Sequence, residues 1–314
     1  ISGSTQVQAG NYQSMVNRII NSRMEIDQRN AGASVTANDG VFGVDRFKCV
    51  VSQSSKGTVQ QSTTAPAGFI NSLLFTSSSA YTVGASDYFN IRHNIEGLNV
   101  ADLNWGTANA QTVTLSFWVR SSLTGTFGGA LANSAYNRSY PFSYTISSAN
   151  TWEQKFITVA GDTSGTWLTT NGIGLIVNFG LGVGSTWSGT AGAWAGATYN
   201  APTGATSVVG TNGATFYITG VDLRVGSYTV VPQDFRAYGT ELALCQRYYE
   251  KSYDVGVVPA TGLANGWAGF VCVQNSTESN SGIYFRVTKR SAPLITVYNA
   301  ISGASGAAYR ISDA

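Results

Sequence analysis

The stretch Thr112 to Val119 reads TVTLSFWV, and its alternation decides the fold class. In an extended chain Val113, Leu115, Phe117 and Val119 fall on one side, while Thr114, Ser116 and Trp118 fall on the other. A period of two with one apolar side predicts a half-buried strand whose Val-Leu-Phe-Val side is core. Leu175, Val177 and Phe179 alternate in the same manner. So do Tyr217, Thr219, Val221, Leu223 and Val225 against Phe216, Ile218, Asp222 and Arg224. Polar, Gly-rich spacers such as SQSSKGTVQQSTTAPAG (52–68) and GTAGAWAGATYNAPTGATSVVGTNGA (189–214) separate these runs. That rhythm predicts an all-β, jelly-roll-like antiparallel β-sandwich.

Composition agrees. The 314 residues are 43% hydrophobic and 12% aromatic, enough for one large or two ordinary cores. Only 11% are charged, far below the roughly 25% of ordinary soluble domains, and Gly, Ser, Thr, Ala and Asn fill the polar positions. Ile19 to Ile26, IINSRMEI, fits a first strand, with an amphipathic helix as the alternative. The convincing helix is Tyr238 to Lys251, YGTELALCQRYYEK, with Thr240 as cap and Leu242, Cys245 and Tyr249 on one buried stripe between two β-units. The expected division is an extended N-terminal arm (1–17), the β-sandwich (18–231), a connecting helix (232–252) and a smaller C-terminal β-unit (253–314).

Charge and cysteine exclude several functions. The net charge is +2, from 18 basic and 16 acidic residues scattered singly, so no nucleic-acid partner is expected. The adjacent Lys289 and Arg290 read as a solvated strand edge. Cys49, Cys245 and Cys272 form no metal-ligand or disulfide pattern and fit small buried hydrophobes in a reducing cytoplasm. The N-terminus lacks the pattern of a secretory signal. The longest apolar stretch, Gly172 to Gly184, includes Asn178 and falls short of the roughly 20 residues a membrane helix needs, so membrane insertion is not expected.

No enzyme is expected. The single His93 has no nucleophile elbow to serve; Glu25 with Asp27, Asp102 or Glu153 could contribute a carboxylate pair facing across a groove, but 16 acids in 314 residues make chance pairs inevitable. No cofactor is called for. A structural calcium is the one metal candidate, held by Glu25 or Asp27 with Asp222, against exposed acids on separate strands. Sugar recognition would use flat aromatic faces. Trp187, Trp194 and Tyr199 in the Gly-rich loop, with Trp118 on its strand, are the glycan or receptor contact candidates; the alternative is burial or contact between protomers.

Four stretches carry a resemblance: RIINSRMEIDQRNA (18–31), NIEGLNVADLNWGTANAQTVTLSFWVRSSLTG (94–125), ATFYITGVDLRVG (214–226) and FRAYGTELALCQRYYEKSY (235–253). In order and wording the chain resembles bacteriophage and prophage virion proteins of the tail-fibre, carbohydrate-binding-like kind. FRVTKRSAPLITVY (285–298) looks like the segment that follows the helix in that family. The resemblance implies a jelly-roll sandwich, no cofactor, assembly in the host cytoplasm, a place in the virion and a homo-oligomer, commonly a trimer, beside other virion proteins. It carries over no catalytic residue. The expected function is a structural protein of a tail fibre or surface appendage that binds host cell-surface glycans. The alternatives are a purely structural head-fibre or capsid-decoration protein and a glycan-cleaving enzyme.

Overall fold

The computed structural model describes residues 15–231, 234–260, 284–299 and 302–306. The N-terminal arm up to residue 14, Cys272 and most of the expected C-terminal β-unit lie outside these residues. The chain first forms β1 (Val35–Thr36), β2 (Phe42–Val44), β3 (Phe47–Val51), β4 (Gly57–Ser62), β5 (Ser72–Ser77) and β6 (Tyr88–Glu96). There follow β7 (Val113–Ser121), β8 (Gly125–Ala132), β9 (Ser139–Ile146), β10 (Glu153–Val159) and β11 (Ile173–Val183). The short β12 (Ser188–Gly189) and β13 (Ala201–Pro202) precede β14 (Thr215–Val225) and one helix, α1 (Tyr238–Gln246).

Twelve strands build two six-stranded antiparallel sheets, ordered β1-β4-β5-β14-β7-β10 and β2-β3-β6-β11-β8-β9. Neighbours in each sheet come from distant parts of the chain, which makes this a jelly-roll-like β-sandwich. Val113, Leu115, Phe117 and Val119 all face the core, as do Leu175, Val177 and Phe179. Phe117 packs edge-on to Tyr144 and Phe179, with ring centroids 5.0 and 5.1 Å away. The apolar run at 172–184 is the central strand β11, covered on both faces. No helix among the described residues is long and apolar enough to cross a membrane.

Several local expectations change. In β14 Phe216 and Ile218 face the core at one end, but Val221 and Leu223 do so at the other. The register shifts between Thr219 and Asp222, where Gly220 takes φ +60°, so a bulge moves the buried side by one residue. The polar spacer 52–68 holds β4, which pairs along its whole length with β5. Ile19 to Ile26 is neither strand nor helix. It is a buried series of turns in which Asn21 and Met24 take positive φ. Asn21 closes it: its Nδ2 donates to the carbonyls of Ile26 and Asp45, each at 2.8 Å, and its Oδ1 accepts from the Ile26 N–H at 2.9 Å. Side-chain hydrogen bonds here replace a strand ladder.

This segment also lies along β14. The Asn17 amide bonds the carbonyl of Val221 (3.0 Å) and the N–H of Leu223 (3.1 Å), and the Arg18 N–H reaches the Leu223 carbonyl at 3.0 Å. On its other side sits α1. The helix is capped at Ala237 rather than Thr240, and it ends at Gln246, short of Lys251. Cys245 is buried against Ile20 and Ile26, while Leu242 and Tyr249 are half-buried. Arg236 binds Glu241 at 3.0 Å and the carbonyl of Ile19 at 3.2 Å, and Glu241 accepts the Asn21 N–H. Lys289 is not on a solvated edge; its ammonium reaches Glu250 and the Gln246 carbonyl beside the helix end.

The turn after α1 is fastened to β6 by Glu96, whose carboxylate accepts from Arg247 at 2.8 and 2.5 Å and from the Tyr248 hydroxyl at 2.6 Å. Burial pushes the Glu96 carboxyl upward, but these donors outweigh it and hold it below its usual 4.5. The unfolded chain therefore takes up this proton first as pH falls. The stabilisation is present above that usual value and is lost as pH drops through the folded value. Thermal melts from pH 7 to pH 3 should show a progressive fall in Tm that Glu96→Gln flattens; an unchanged slope in the variant would remove Glu96 as the cause.

Candidate functional site

Three tryptophans meet at one end of the sandwich. Trp105 follows the 3-10 turn Ala101–Leu103, Trp167 lies between β10 and β11, and Trp194 lies between β12 and β13. Their centroids are 4.8 Å (Trp105 to Trp167), 5.3 Å (Trp105 to Trp194) and 5.4 Å (Trp167 to Trp194) apart, all edge-to-face. Tyr140 adds a fourth ring 5.2 Å from Trp194. Each indole N–H has a backbone acceptor: Gln111 for Trp105 (2.8 Å), Ser164 for Trp167 (3.1 Å) and Ala160 for Trp194 (2.8 Å). The rings are thus fixed in place, with Trp105 buried and Trp167 and Trp194 half-exposed above it. Beside them Arg138 grips Asp162 through two 2.7 Å bonds. The cleft between Trp105, Trp167 and the 38% exposed Leu168 has room for about 20 Å³. That admits a water, so a sugar would lie across these rings rather than enter between them.

The other aromatic candidates stand elsewhere. Trp187 packs edge-on to Tyr88 at 5.6 Å and donates to the Ser86 carbonyl at 2.9 Å, so it does not join Trp194 in one site. Tyr199 is half-buried with its ring on Gly189, where a Cβ would stand 2.3 Å away, and its N–H bonds the Ser139 hydroxyl at 3.0 Å. Trp118 is on the opposite sheet, half-buried beside Thr219 and Gln154, and its indole N–H is buried without a partner. Trp105 and Trp167 escaped the sequence reading because nothing local ties positions 105, 140, 167 and 194 together.

The proposed calcium ligands are occupied separately. Glu25 pairs with Arg23 at 3.3 Å, Asp27 accepts the N–H groups of Asn30 (3.0 Å) and Gly32 (2.8 Å), and Asp222 is clasped by Arg224. No group of three His, Cys, Asp or Glu among the described residues is placed to hold a metal ion. Asp102 pairs with Arg18 at 2.5 Å and Glu153 with Lys155 at 2.6 Å. His93 is in the core, 4.7 Å from the Phe47 ring, and both its nitrogens lack partners. Burial, aided by the charges of Arg46 and Arg236, pushes its pKa well down and keeps it neutral.

A second feature, unseen in the sequence, is the outer face of the β2-β3-β6-β11-β8-β9 sheet. Along β6 the residues Tyr88, Asn90, Arg92 and Asn94 alternate with the core residues Phe89, Ile91, His93 and Ile95. Register sets Lys48 on one side of Arg92 and Asn178 on the other. Arg92 donates to Asn178 at 2.7 Å and to the Tyr136 hydroxyl at 2.9 Å, and Asn178 passes the chain to Asn200 at 3.2 Å.

No protein-family model matches the chain, and no curated protein does. Solved structures with a similar fold include carbohydrate-binding modules and a phage tailspike domain. The enzymatically active domain of tailspike protein 4 from bacteriophage CBA120 is 12% identical over 67% of this chain and 21% of that one, at a TM-score of 0.37. The chain therefore spans about a fifth of the length of that domain's chain. A putative sugar binding protein from Bacteroides thetaiotaomicron is 10% identical over 67% and 100%, at 0.36. The family 11 carbohydrate-binding module from Clostridium thermocellum is 11% identical over 62% and 95%, at 0.32.

Proposed function

We propose that the chain is a non-catalytic component of a bacteriophage appendage, a homotrimer, that contacts host glycans through Trp167 and Trp194. The observation that carries the glycan contact is the fixed indole cluster. Its rings are held by their own N–H bonds at the surface, over a cleft too small for a substrate, which suits stacking against the apolar face of a pyranose. The virion setting is supported by the four sequence stretches quoted above. A non-catalytic role fits a sole histidine held neutral in the core and the candidate carboxylates Glu25, Asp27, Asp102 and Glu153 each paired with its own cation or turn. Single stacking contacts bind weakly, but three copies per trimer and many trimers per particle raise the effective affinity by on the order of a hundredfold.

The test is adsorption of particles carrying Trp167→Ala with Trp194→Ala, measured at equal assembly, with a glycan array on the full chain. Lost adsorption and lost array signal with intact particles are expected. Unchanged adsorption would sink the reading, while failed assembly would favour a second role for the same rings, as anchors between protomers. Light scattering of the full chain at micromolar concentration should give three times the monomer mass; a monomer would remove the trimer.

A further inference from the structure

The outer face described above carries three cations, Arg46, Lys48 and the 7% exposed Arg92, that form no ion pair among the described residues. Lys48 lies opposite Arg92, and Phe47 opposite His93, so the next residue, Arg46, comes level with Asn94. Arg46 reaches the Asn94 carbonyl and lies 3.4 Å over the Tyr248 ring. Arg92 uses neutral acceptors only, Asn178 and Tyr136. Lys48 has no hydrogen-bond acceptor among the described residues. Asp39 acts on Lys48 and Arg92 by its charge but pairs with neither; its carboxylate accepts the Val51 N–H at 3.1 Å.

The face also holds unmatched amides. Asn90 is fully buried with neither its Oδ1 nor its Nδ2 partnered, and the Oδ1 of Asn94 is buried and unpartnered too. They flank Arg92 on β6. Buried polar atoms are ordinarily matched, by protein, ordered water or a bound group, so this row beside cations without ion pairs is a place where water or a ligand's polar atoms would be held. Burial, with the charges of Arg92 and Arg46, also pushes the Lys48 ammonium down from its usual range. Tyr136, 40% exposed, carries the Arg92 guanidinium 5.5 Å over one face of its ring, and the exposed remainder of the ring borders the charges.

We infer that Lys48 and Arg92, with Tyr136 beside them, bind an oxyanion carried on a sugar ring, the carboxylate of a uronic acid or a sulfate ester. The cations match the oxyanion, and the tyrosine face matches the ring. The oxyanion site stands on the charge imbalance alone; the sugar as its carrier rests on the glycan reading above.

The full chain is titrated with sodium glucuronate, glucose and sodium sulfate at constant ionic strength, following lysine and tyrosine signals by NMR. Glucuronate should shift both Lys48 and Tyr136, sulfate should shift Lys48 more weakly and leave Tyr136, and glucose should shift neither. Lys48→Gln should weaken glucuronate binding about tenfold, the loss of one charge-assisted hydrogen bond. Lys48→Glu should abolish it and raise Tm by supplying the missing counter-charge. Equal responses to glucuronate and glucose, or full affinity in Lys48→Gln, would overturn the site, as would a lowered Tm in Lys48→Glu. Equal binding and equal shifts from sulfate and glucuronate would overturn the sugar as carrier. None of these probes uses Trp167 or Trp194, so failure here and failure of the tryptophan reading are separately visible.

Discussion

Replacing Asn21 with Ala is expected to destabilise the protein by about 3 to 5 kcal/mol, more than most core truncations of similar size. The side chain is fully buried and serves three backbone groups, the Ile26 N–H and the carbonyls of Ile26 and Asp45. Alanine leaves them buried and unpaired, each at about 1 to 3 kcal/mol less any water that enters. It must also keep φ near +59°, a left-handed conformation that costs a non-Gly residue about 1 kcal/mol. Equilibrium urea unfolding of Asn21→Ala and Asn21→Gly separates the parts. The glycine variant should recover the backbone portion only. A loss under about 1 kcal/mol in the alanine variant would show that these bonds do not hold the segment.

That residue also marks where sequence reading stops. IINSRMEI has the apolar content of a strand, and nothing in its spacing says that Asn21 folds back to satisfy its own neighbours. Strands whose apolar residues alternate, such as β7, were legible because the apolar period marks the core-facing side, even though Thr114 and Ser116 on the other side are buried too. In β14 the apolar period and the core-facing side coincide only on either side of the Gly220 bulge, so neither alternating set of residues is a single face. Strand β4 was hidden because its burial is partial and all its residues but the buried Val59 are those of a loop: Gly, Thr, Gln and Ser.

The second large effect is Phe117→Ala, expected to cost about 3 to 5 kcal/mol. Phe117 is fully buried between the sheets, edge-on to Tyr144 of β9 and Phe179 of β11. Both neighbours belong to backbone ladders and cannot close over the space, so lost transfer energy and a residual cavity add. Phe117→Leu should cost distinctly less. Guanidinium unfolding measures both, and an alanine cost below about 1.5 kcal/mol would mean that the sheets collapse onto the gap.

The sites were less legible than the fold for a related reason. Trp194 was visible as an aromatic in a loop of small residues, but its partners come from positions 105, 140 and 167, which only the folded chain brings together. The cations Lys48 and Arg92 are 44 positions apart, and register alone makes them neighbours. Single charges scattered along a chain look neutral in aggregate; pairing across strands decides which remain uncompensated.

The course of residues 17–22 has a mechanical consequence. Force applied at Asn17 does not fall on one exposed strand edge. Its amide and the adjoining Arg18 N–H load β14, a central strand of its sheet, through the bonds to Val221 and Leu223. The carbonyls of Asn17 and Ile19 load α1 through Arg236 and Glu241, and Arg18 adds a tie to Asp102. Tension is thereby shared in parallel between sheet, helix and loop. Rupture requires several of these bonds to fail together, so the chain enters its β-sandwich as an anchored cable rather than a peelable strip.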